Sequence, residues 1–363
     1  MPDARLTFAI ASGKAVGIAS RVLRVGGGTT LPGRIATAIE PALVSKSTQS
    51  LDQGSIIVTG TNGKTTTARL IALMLSETGL RVAHNRAGAN LLSGVASAIV
   101  ASARLGGRTR ADIGLFEVDE AALPEVALQT RSRVVAITNL FRDQLDRYGE
   151  IDYLLGVWRD ALSRLPATTT IVLNADDPLV ASLGRGITAR VLYYGIEDTR
   201  YAQRDPQIAA DTHRCLACGT PYRYEATYYG HVGKYACPRC GTARPRPDIC
   251  ARAIHLRGME GSDVGLALPD GSLSLSLRLP GLYNVYNALA AVACLSALAV
   301  PAGTVKAGVE SFAAAFGRTE RIPVGTKQIF LALVKNPIGF NQVLHTLFLD
   351  GEARDLVIII NDN

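Results

Sequence analysis

The 363-residue sequence holds no uninterrupted apolar run of bilayer length, no dense Lys/Arg cluster interleaved with aromatics, and no internal repeat or low-complexity tract. Each absence excludes something. The longest apolar stretch, Ala288 to Val300, is broken by Ser296 and falls short of the roughly 20 residues a bilayer requires. The N-terminus has no compact apolar core followed by a small-residue cleavage site, so no signal peptide is expected. Without a basic run carrying aromatics there is no nucleic-acid footprint, and no nucleic-acid partner is expected. A 48% hydrophobic, 19% charged composition excludes disorder as the main state. The length suits about two or three domains with sizeable cores. The net charge of +7 favours anionic partners, whether nucleotides, phosphorylated substrates or an acidic membrane surface, without choosing among them.

Residues 1–50 form a basic, helix-prone lead, with Arg5, Lys14, Arg21 and Arg24 set among Ala, Val, Ile and Leu. Gly26-Gly27-Gly28 breaks the pattern, and Pro32-Gly33 reads as a turn. Packing on the following domain is favoured over a membrane-surface role for this lead. Residues 51–300 then alternate short β-branched runs with helix-compatible stretches. Ile56–Thr59, Gly114–Val118, Val134–Thr138, Thr170–Leu173 and Val191–Tyr194 are expected strands; Thr66–Thr78 and Ala89–Ala103 are expected helices. That alternation predicts an α/β fold whose parallel sheet is covered on both faces. Residues 211–244 interrupt it with a Cys-, Tyr-, Arg- and Gly-rich insertion. Asp263–Leu279 resembles a hairpin and Asn287–Leu298 a buried helix. Residues 301–363 read as helix, strand (Ile329–Val334), helix (Phe340–Phe348), strand (Leu356–Ile360). These are too few elements for a full α/β layer, so an incomplete domain is expected there.

The run Ile56 to Thr67 is an apolar strand, a tight glycine turn, then Lys-Thr opening a helix. Gly60 and Gly63 let backbone N–H groups, including those of Thr61 and Asn62, approach phosphate oxygens without a Cβ in the way. The helix N-terminus adds unpaired donors and a positive dipole end beside Thr66. Lys64 can reach the β- and γ-phosphates of ATP, and the Thr65 hydroxyl can ligate Mg2+. The loop is the short Gly-x-x-Gly-Lys-Thr form, with Val58 where the common pattern has glycine. Strand before, helix after and the run of threonines favour phosphate binding over a chance glycine turn.

Carboxylates follow at strand ends, where a parallel sheet lines its ligand crevice. Glu117-Val118-Asp119-Glu120 sits at one end, with Glu117 the first candidate for Mg2+ and a solvated charge cluster the alternative. Asn139, Arg142, Asp143, Gln144, Asp146 and Arg147 follow the next strand, as a site or as a charged helix surface. Asn174-Ala175-Asp176-Asp177-Pro178 follows a third, where turn chemistry alone is a sufficient reading.

Of six cysteines, four form two pairs, Cys215/Cys218 and Cys237/Cys240, with 18 residues between them and a glycine after each pair. Paired Cys-x-x-Cys motifs signal a zinc ribbon in a reducing compartment, so the cytoplasm is the expected location. A shell of four cysteines leaves no open position, which makes this Zn2+ structural rather than catalytic. Cys250 and Cys294 fit buried small hydrophobes.

Together these motifs resemble the Mur ligase superfamily, and within it the MurT subunits of lipid II isoglutaminyl synthase, in a C-terminally truncated form. Thr59–Thr67 looks like the ATP loop, and Gly281-Leu282-Tyr283-Asn284-Val285-Tyr286-Asn287-Ala288-Leu289-Ala290-Ala291 like the segment near the nucleotide base. Gly317-Arg318-Thr319-Glu320-Arg321 resembles the segment in which an arginine approaches the terminal phosphates. The cysteine insertion, Glu117–Glu120, Thr138–Arg147 and Lys335-Asn336-Pro337 resemble MurT chains more closely than amino-acid-adding enzymes. Gln144 replaces a histidine common in the wider family, and Tyr153–Leu165 contains no lysine to be carbamylated. Ala332 and Lys335 replace the usual aspartate and histidine, so metal and ribose handling are expected to differ. The first 50 residues are short for a UDP-binding domain, consistent with a lipid-linked substrate.

The resemblance implies a Mur-type ATP-binding domain with an inserted zinc ribbon, followed by a partial Rossmann-like domain. It implies ATP-dependent amidation of the α-carboxylate of D-glutamate in the lipid II stem peptide, through an acyl phosphate. Ammonia would come from a GatD-type glutaminase in a heterodimer, at the inner membrane surface. In that scheme Lys64 holds the β/γ-phosphates, Thr65 and Glu117 hold Mg2+, Arg318 meets the transferring phosphoryl, and Asn139 and Asn284 line the nucleotide site. The family lends its glutaminase an aspartate just beyond the Asn361-Asp362-Asn363 motif, at which this sequence stops. The rival expectations are another amino-acid-adding Mur ligase and a zinc-ribbon nucleic-acid-binding NTPase.

Overall fold

A stretch of β-branched residues with no polar partner for one face must be buried on both, and Ile56, Ile57 and Val58 of the first strand have no exposed surface. The computed structural model describes residues 3–23, 29–85, 88–141, 150–203, 214–312, 320–325, 327–334, 336–349, 351 and 354–359. Three helices lead the chain: α1 (Ala4–Leu23), α2 (Leu31–Ile39) and α3 (Leu43–Thr48). Strands and helices then alternate: β1 (Ser55–Thr59), α4 (Lys64–Ser76), β2 (Val82–His84), α5 (Leu92–Ser102), β3 (Ile113–Glu117), α6 (Leu123–Gln129), β4 (Ser132–Ile137), α7 (Glu150–Ser163), β5 (Thr170–Asn174), α8 (Pro178–Ser182) and β6 (Arg190–Ile196). A separate hairpin, β7 (Arg223–Tyr229) and β8 (Val232–Ala236), precedes β9 (Ile249–Leu256), β10 (Ser262–Leu268) and β11 (Gly271–Leu277). The chain continues as α9 (Leu282–Ala297), α10 (Ala302–Glu310), β12 (Glu320–Val324), β13 (Lys327–Leu331) and α11 (Pro337–Leu347).

Among the described residues, nine strands form one sheet in the order β11-β10-β9-β6-β5-β4-β1-β3-β2. The pairs from β9 through β6, β5, β4, β1 and β3 to β2 are parallel, while β9, β10 and β11 form an antiparallel meander. Alternate side chains separate two cores. Ile56, Val58, Ala136 and Val172 face α4, α9 and α10. Ile57, Val135, Ile137, Ile171 and Leu173 face the leading helices and α5 to α8. α9 is apolar nearly all round, and it is buried accordingly from Val285 to Leu295.

The leading helices are part of this second core through Leu6, Ala9, Ile10, Ala36, Leu43 and Val44. Gly33 is a close crossing: a Cβ there would stand 2.0 Å from the Ser93 carbonyl oxygen of α5. By length and composition α1 could cross a membrane, although its buried face (Leu6, Ala9, Ile10, Gly13, Gly17, Ser20) packs on the protein. A search for unbroken apolar runs passes over it because Arg5, Ser12 and Lys14 interrupt the run.

Apart from the strand expected at Leu356–Ile360, the expected strands and helices occur, with ends shifted by a few residues; α9 begins at Leu282, ahead of the expected Asn287. Two expectations near the C-terminus need correction. The strand expected at Ile329–Val334 is β13, and it pairs antiparallel with β12, which the sequence pattern does not signal. Leu356 to Ile359 are in no strand: they are exposed, and among the described residues no neighbouring strand offers its N–H and C=O groups. Ile360 and the glycines 26–28 lie outside the described residues.

Candidate functional site

The loop after β1 is shaped from outside as much as by its own glycines. Gly60 (φ +125°) and Gly63 (φ +86°) adopt backbone that L side chains rarely enter. A Cβ on Gly60 would stand 2.3 Å from Thr138 Oγ1, and one on Gly63 2.0 Å from Asn287 Oδ1. Asn139 clasps the loop: its Oδ1 accepts from Asn62 N at 2.8 Å and its Nδ2 donates to Asn62 O at 3.0 Å. Thr138 Oγ1 donates to the same Asn62 carbonyl at 2.8 Å. Thr61 and Phe141 exchange bonds, Phe141 N donating to Thr61 Oγ1 at 3.0 Å and Thr61 Oγ1 to Phe141 O at 3.2 Å. Asn139 thus acts on the loop itself.

Lys64 and Thr65 open α4, where free N–H groups and the dipole favour an anion. Lys64 Nζ donates to the Gly60 carbonyl and pairs with Glu120 Oε2 at 3.1 Å. Thr65 Oγ1 donates to Glu117 Oε1 at 2.8 Å. Glu117 ends β3 and is buried, and its backbone is gripped by Asn85: Asn85 Nδ2 donates to Glu117 O at 2.7 Å and Glu117 N to Asn85 Oδ1 at 2.9 Å. A hydroxyl and a carboxylate held together beside a phosphate loop are the oxygen donors Mg2+ takes.

The loop opens into a cavity of about 150 Å³, lined by residues 61–66 and by Asn139, Asn284, Asn287 and Tyr229, with Leu279, Tyr283 and Phe312 supplying apolar surface. Asn284 is buried, donating to Pro280 O at 2.8 Å and accepting from Asn287 Nδ2 at 3.0 Å. Asn336, which caps α11 by accepting from Gly339 N, donates to Asn62 Oδ1 at 3.1 Å. The cavity therefore joins a polar end, at the glycine loop and the start of α4, to an apolar end. Arg318, Arg142, Asp143, Gln144, Asp146, Arg147 and Lys335 lie outside the described residues. Sequence reasoning missed the roles of Glu120 and Asn287, although both lie in segments it singled out. It had no signal for Asn85 or Tyr229.

The third strand-end motif does more than start a helix. Asp177 caps α8, accepting from Leu179 N and Val180 N, and its other oxygen accepts from Leu140 N at 2.9 Å. Asp176 is wholly buried and accepts from Arg244, from Ile196 N at 2.8 Å and from Tyr286 OH at 2.6 Å.

Cys215, Cys218, Cys237 and Cys240 converge, with all four Sγ atoms within 4.8 Å of one another. Cys215–Cys240 and Cys218–Cys237 are each 3.5 Å apart. Four thiolates at about 2.3 Å from one Zn2+ in tetrahedral array stand about 3.8 Å apart, so the donor set and spacing fit zinc. The two halves repeat one design, Cys-x-x-Cys-Gly-Thr. In each the first cysteine's N–H donates to the threonine carbonyl (2.8 and 2.7 Å), and the glycine has positive φ. Bonds with Thr220 and Thr242 hold the Cys218 and Cys240 thiols below their usual pKa, favouring the thiolate a metal needs.

The Mur ligase middle domain profile matches residues 58–231, from the phosphate loop into the cysteine-bearing hairpin. The MurT subunit of lipid II isoglutaminyl synthase (glutamine-hydrolyzing) from Streptococcus pneumoniae (strain ATCC BAA-255 / R6) is 32% identical over 340 residues, 94% of this chain and 74% of that protein. The chain belongs to the MurT family. The MurT subunit of Staphylococcus aureus (strain N315) is 31% identical, over 93% of this chain and 73% of that one. Among solved structures, a pseudomurein peptide ligase type C from Methanothermus fervidus superposes with a TM-score of 0.68 at 27% identity, over 82% of this chain and 56% of that one. MurF from Acinetobacter baumannii has a TM-score of 0.64 at 19% identity, over 87% and 58%, which shows the shared fold. The chain spans a little over half the length of these two structures.

Proposed function

We propose that the chain is the ATP-using synthetase subunit of a glutamine-hydrolysing amidoligase that converts the D-glutamate α-carboxylate of the lipid II stem peptide to D-isoglutamine. The observation that carries this reading is the meeting of Lys64, the Thr65–Glu117 pair and the Asn284–Asn287 helix at one cavity, in a chain of the MurT family.

A carboxylate is a poor electrophile, and phosphorylation supplies a leaving group. A carboxylate oxygen attacks the γ-phosphorus, and the bond to ADP breaks. Ammonia then attacks the acyl carbon, the C–O bond to phosphate breaks, the departing phosphate takes the proton that ammonia gives up, and the amide remains. The chain's work is positioning and charge neutralisation. Lys64 exchanges Glu120 for the β/γ-phosphates. Thr65 and Glu117 would hold Mg2+, which when bound neutralises phosphate charge. Gly60, Thr61, Asn62, Gly63 and Thr66 shape the loop under the phosphates, Asn139 holds that shape, and Asn284 orders the opposite wall. Arg318 is assigned to the transferring phosphoryl. The four cysteines hold a structural Zn2+.

This reading divides the chain at about residues 50 and 300, with the ribbon at 211–244 as an insertion and 301–363 as part of a C-terminal α/β domain. A GatD-type glutaminase supplies the ammonia. The chain works in the cytoplasm at the membrane surface: Phe8, Ile18, Val22 and Leu23 face outward from α1, next to Arg5 and Arg21. Co-sedimentation with anionic vesicles, lost in Phe8→Ser/Ile18→Ser, tests that placement.

The test of function combines the chain with a GatD-type glutaminase, lipid II, ATP and either glutamine or ammonia. Mass spectrometry should show one carboxylate replaced by an amide, with ADP formed. Amino-acid addition in its place, or ATP hydrolysis stimulated by DNA or RNA, would overturn the proposal.

A further inference from the structure

We infer that the turn of the cysteine-ribbon hairpin is a wall of the nucleotide site, so that loading the four cysteines with zinc sets nucleotide affinity. This rests on reading the loop cavity as the nucleotide site.

The hairpin carries the ribbon into the cavity. β7 ends at Tyr229, and Tyr229 lines the same space as Lys64 and Thr65. Its ring meets Tyr286 of α9 edge-on, with centroids 5.4 Å apart at 85°, and stands 5.8 Å from Phe141. Phe141 is the residue that exchanges two hydrogen bonds with Thr61 of the phosphate loop. The next residue, Gly230, has φ +53°; a Cβ there would lie 3.1 Å from Phe141 and 3.3 Å from Ile338 of α11. The turn is therefore wedged between Phe141, which supports the loop, and α11, which borders the cavity.

Polar contacts behind the turn tie it to the sheet. Gly233 N donates to Asp176 O at 2.8 Å, and Arg244, just after the second cysteine pair, binds the Asp176 carboxylate and reaches Glu197 at 2.7 Å. Tyr286 OH donates to that same carboxylate, so one buried aspartate joins ribbon and nucleotide helix. His231 Nε2 lies 3.2 Å from Asp177 without hydrogen-bond geometry, and the other Asp177 oxygen holds Leu140 N beside the loop.

The far end of the hairpin is where zinc acts. Cys215 and Cys218 precede β7 and Cys237 follows β8 directly, while Tyr222 and Tyr235 meet edge-on at 4.9 Å to close the base. A two-stranded hairpin is marginal by itself, and here the second anchor is the metal cluster. Loss of zinc frees the base, and the turn that holds Tyr229 against Tyr286 and Phe141 is no longer pinned at both ends.

The experiment measures Mg·ATP affinity of the full chain by calorimetry, zinc-loaded, chelator-stripped and reloaded, with far-UV dichroism recorded on each. Tyr229→Leu, Tyr229→Phe and Lys64→Ala are titrated alongside. Stripping should weaken binding roughly 3- to 10-fold or more, as expected for losing a buried aromatic wall, and reloading should restore it. Tyr229→Leu, with zinc retained, should lose a similar factor, and Tyr229→Phe should recover most of it. If stripping unfolds the chain, Tyr229→Leu decides: undiminished affinity there overturns the inference. A stripped but folded chain that binds as tightly as the loaded one also overturns it. Lys64→Ala separates the two readings. Loss of affinity in Lys64→Ala but in neither of the others refutes the ribbon's role alone, and retained affinity in Lys64→Ala refutes the nucleotide site itself.

Discussion

Gly63→Ala separates backbone strain from damage to the site, because Gly79 provides a matched control. Gly63 has φ +86° and Gly79 has φ +76°, so alanine at either position incurs about 1–2 kcal/mol of left-handed strain. Their surroundings differ. Nothing lies within 4 Å of a Cβ on Gly79, whereas one on Gly63 stands 2.0 Å from Asn287 Oδ1. Ordinary contact begins at 3.4 Å, so Asn287 must recede by 3.4 − 2.0 = 1.4 Å. That motion breaks its bond to Asn284 and draws a buried amide away from the cavity. Disturbing one such buried polar group costs about 1–3 kcal/mol, roughly 5- to 150-fold in affinity. Urea denaturation should show Gly79→Ala destabilised by the strain alone and Gly63→Ala by that strain plus the cost of displacing Asn287. Titration calorimetry with Mg·ATP should show weakened binding only for Gly63→Ala. Equal loss in Gly79→Ala, or none in Gly63→Ala, would refute the reasoning.

Asp176→Asn removes the buried charge facing Arg244 while keeping the side chain's shape, and Glu197 at 2.7 Å remains as a partial partner. Breaking such a pair costs about 3–5 kcal/mol, and the remaining partner places this one near 3, read from the urea unfolding midpoint; a change below about 1 kcal/mol contradicts it. Acid should destabilise the chain through Asp112 and Asp198, each held at about 2 rather than 3.8, first by the hydrogen bonds of Arg81 and Arg200 respectively. Both carboxyls have folded values below their unfolded ones, so their stabilisation is present above 3.8 and is lost as pH falls through about 2. Asp112→Asn/Asp198→Asn should flatten the melting temperature across that window, and an unchanged slope would exclude them as the cause.

What could be read from residues alone was whatever chemistry writes at fixed spacing. The loop from Gly60 to Thr65 and the two Cys-x-x-Cys pairs are local: turn geometry and ligand number are set within a few residues. Strands β1, β3, β4, β5 and β6 were legible because burial on both faces demands continuous β-branched runs, whereas β2 and β9 were not read from the sequence. The segment Asn284 to Asn287 was legible as a motif but not as the first turns of α9, since asparagine is a poor helix former; its side chains here bond locally, to the Pro280 carbonyl and to each other. Asn139 was legible as a strand-end residue, but its grip on Asn62 joins positions 77 apart. Tyr229 and Asn85 gave no signal, because a side chain's place in a cavity wall follows from packing among distant segments. The final strand failed for a related reason: Leu356 to Ile359 have strand-like composition, but a strand exists only with a neighbour.

The central claim is that Lys64 grips a nucleotide's terminal phosphates, and calorimetric titration of Mg·ATP into Lys64→Ala tests it most directly. Loss of one charged contact to phosphate predicts about 1.5–3 kcal/mol, roughly 10- to 150-fold weaker binding, with the fold unchanged by circular dichroism. Affinity equal to that of the parent chain would contradict the account.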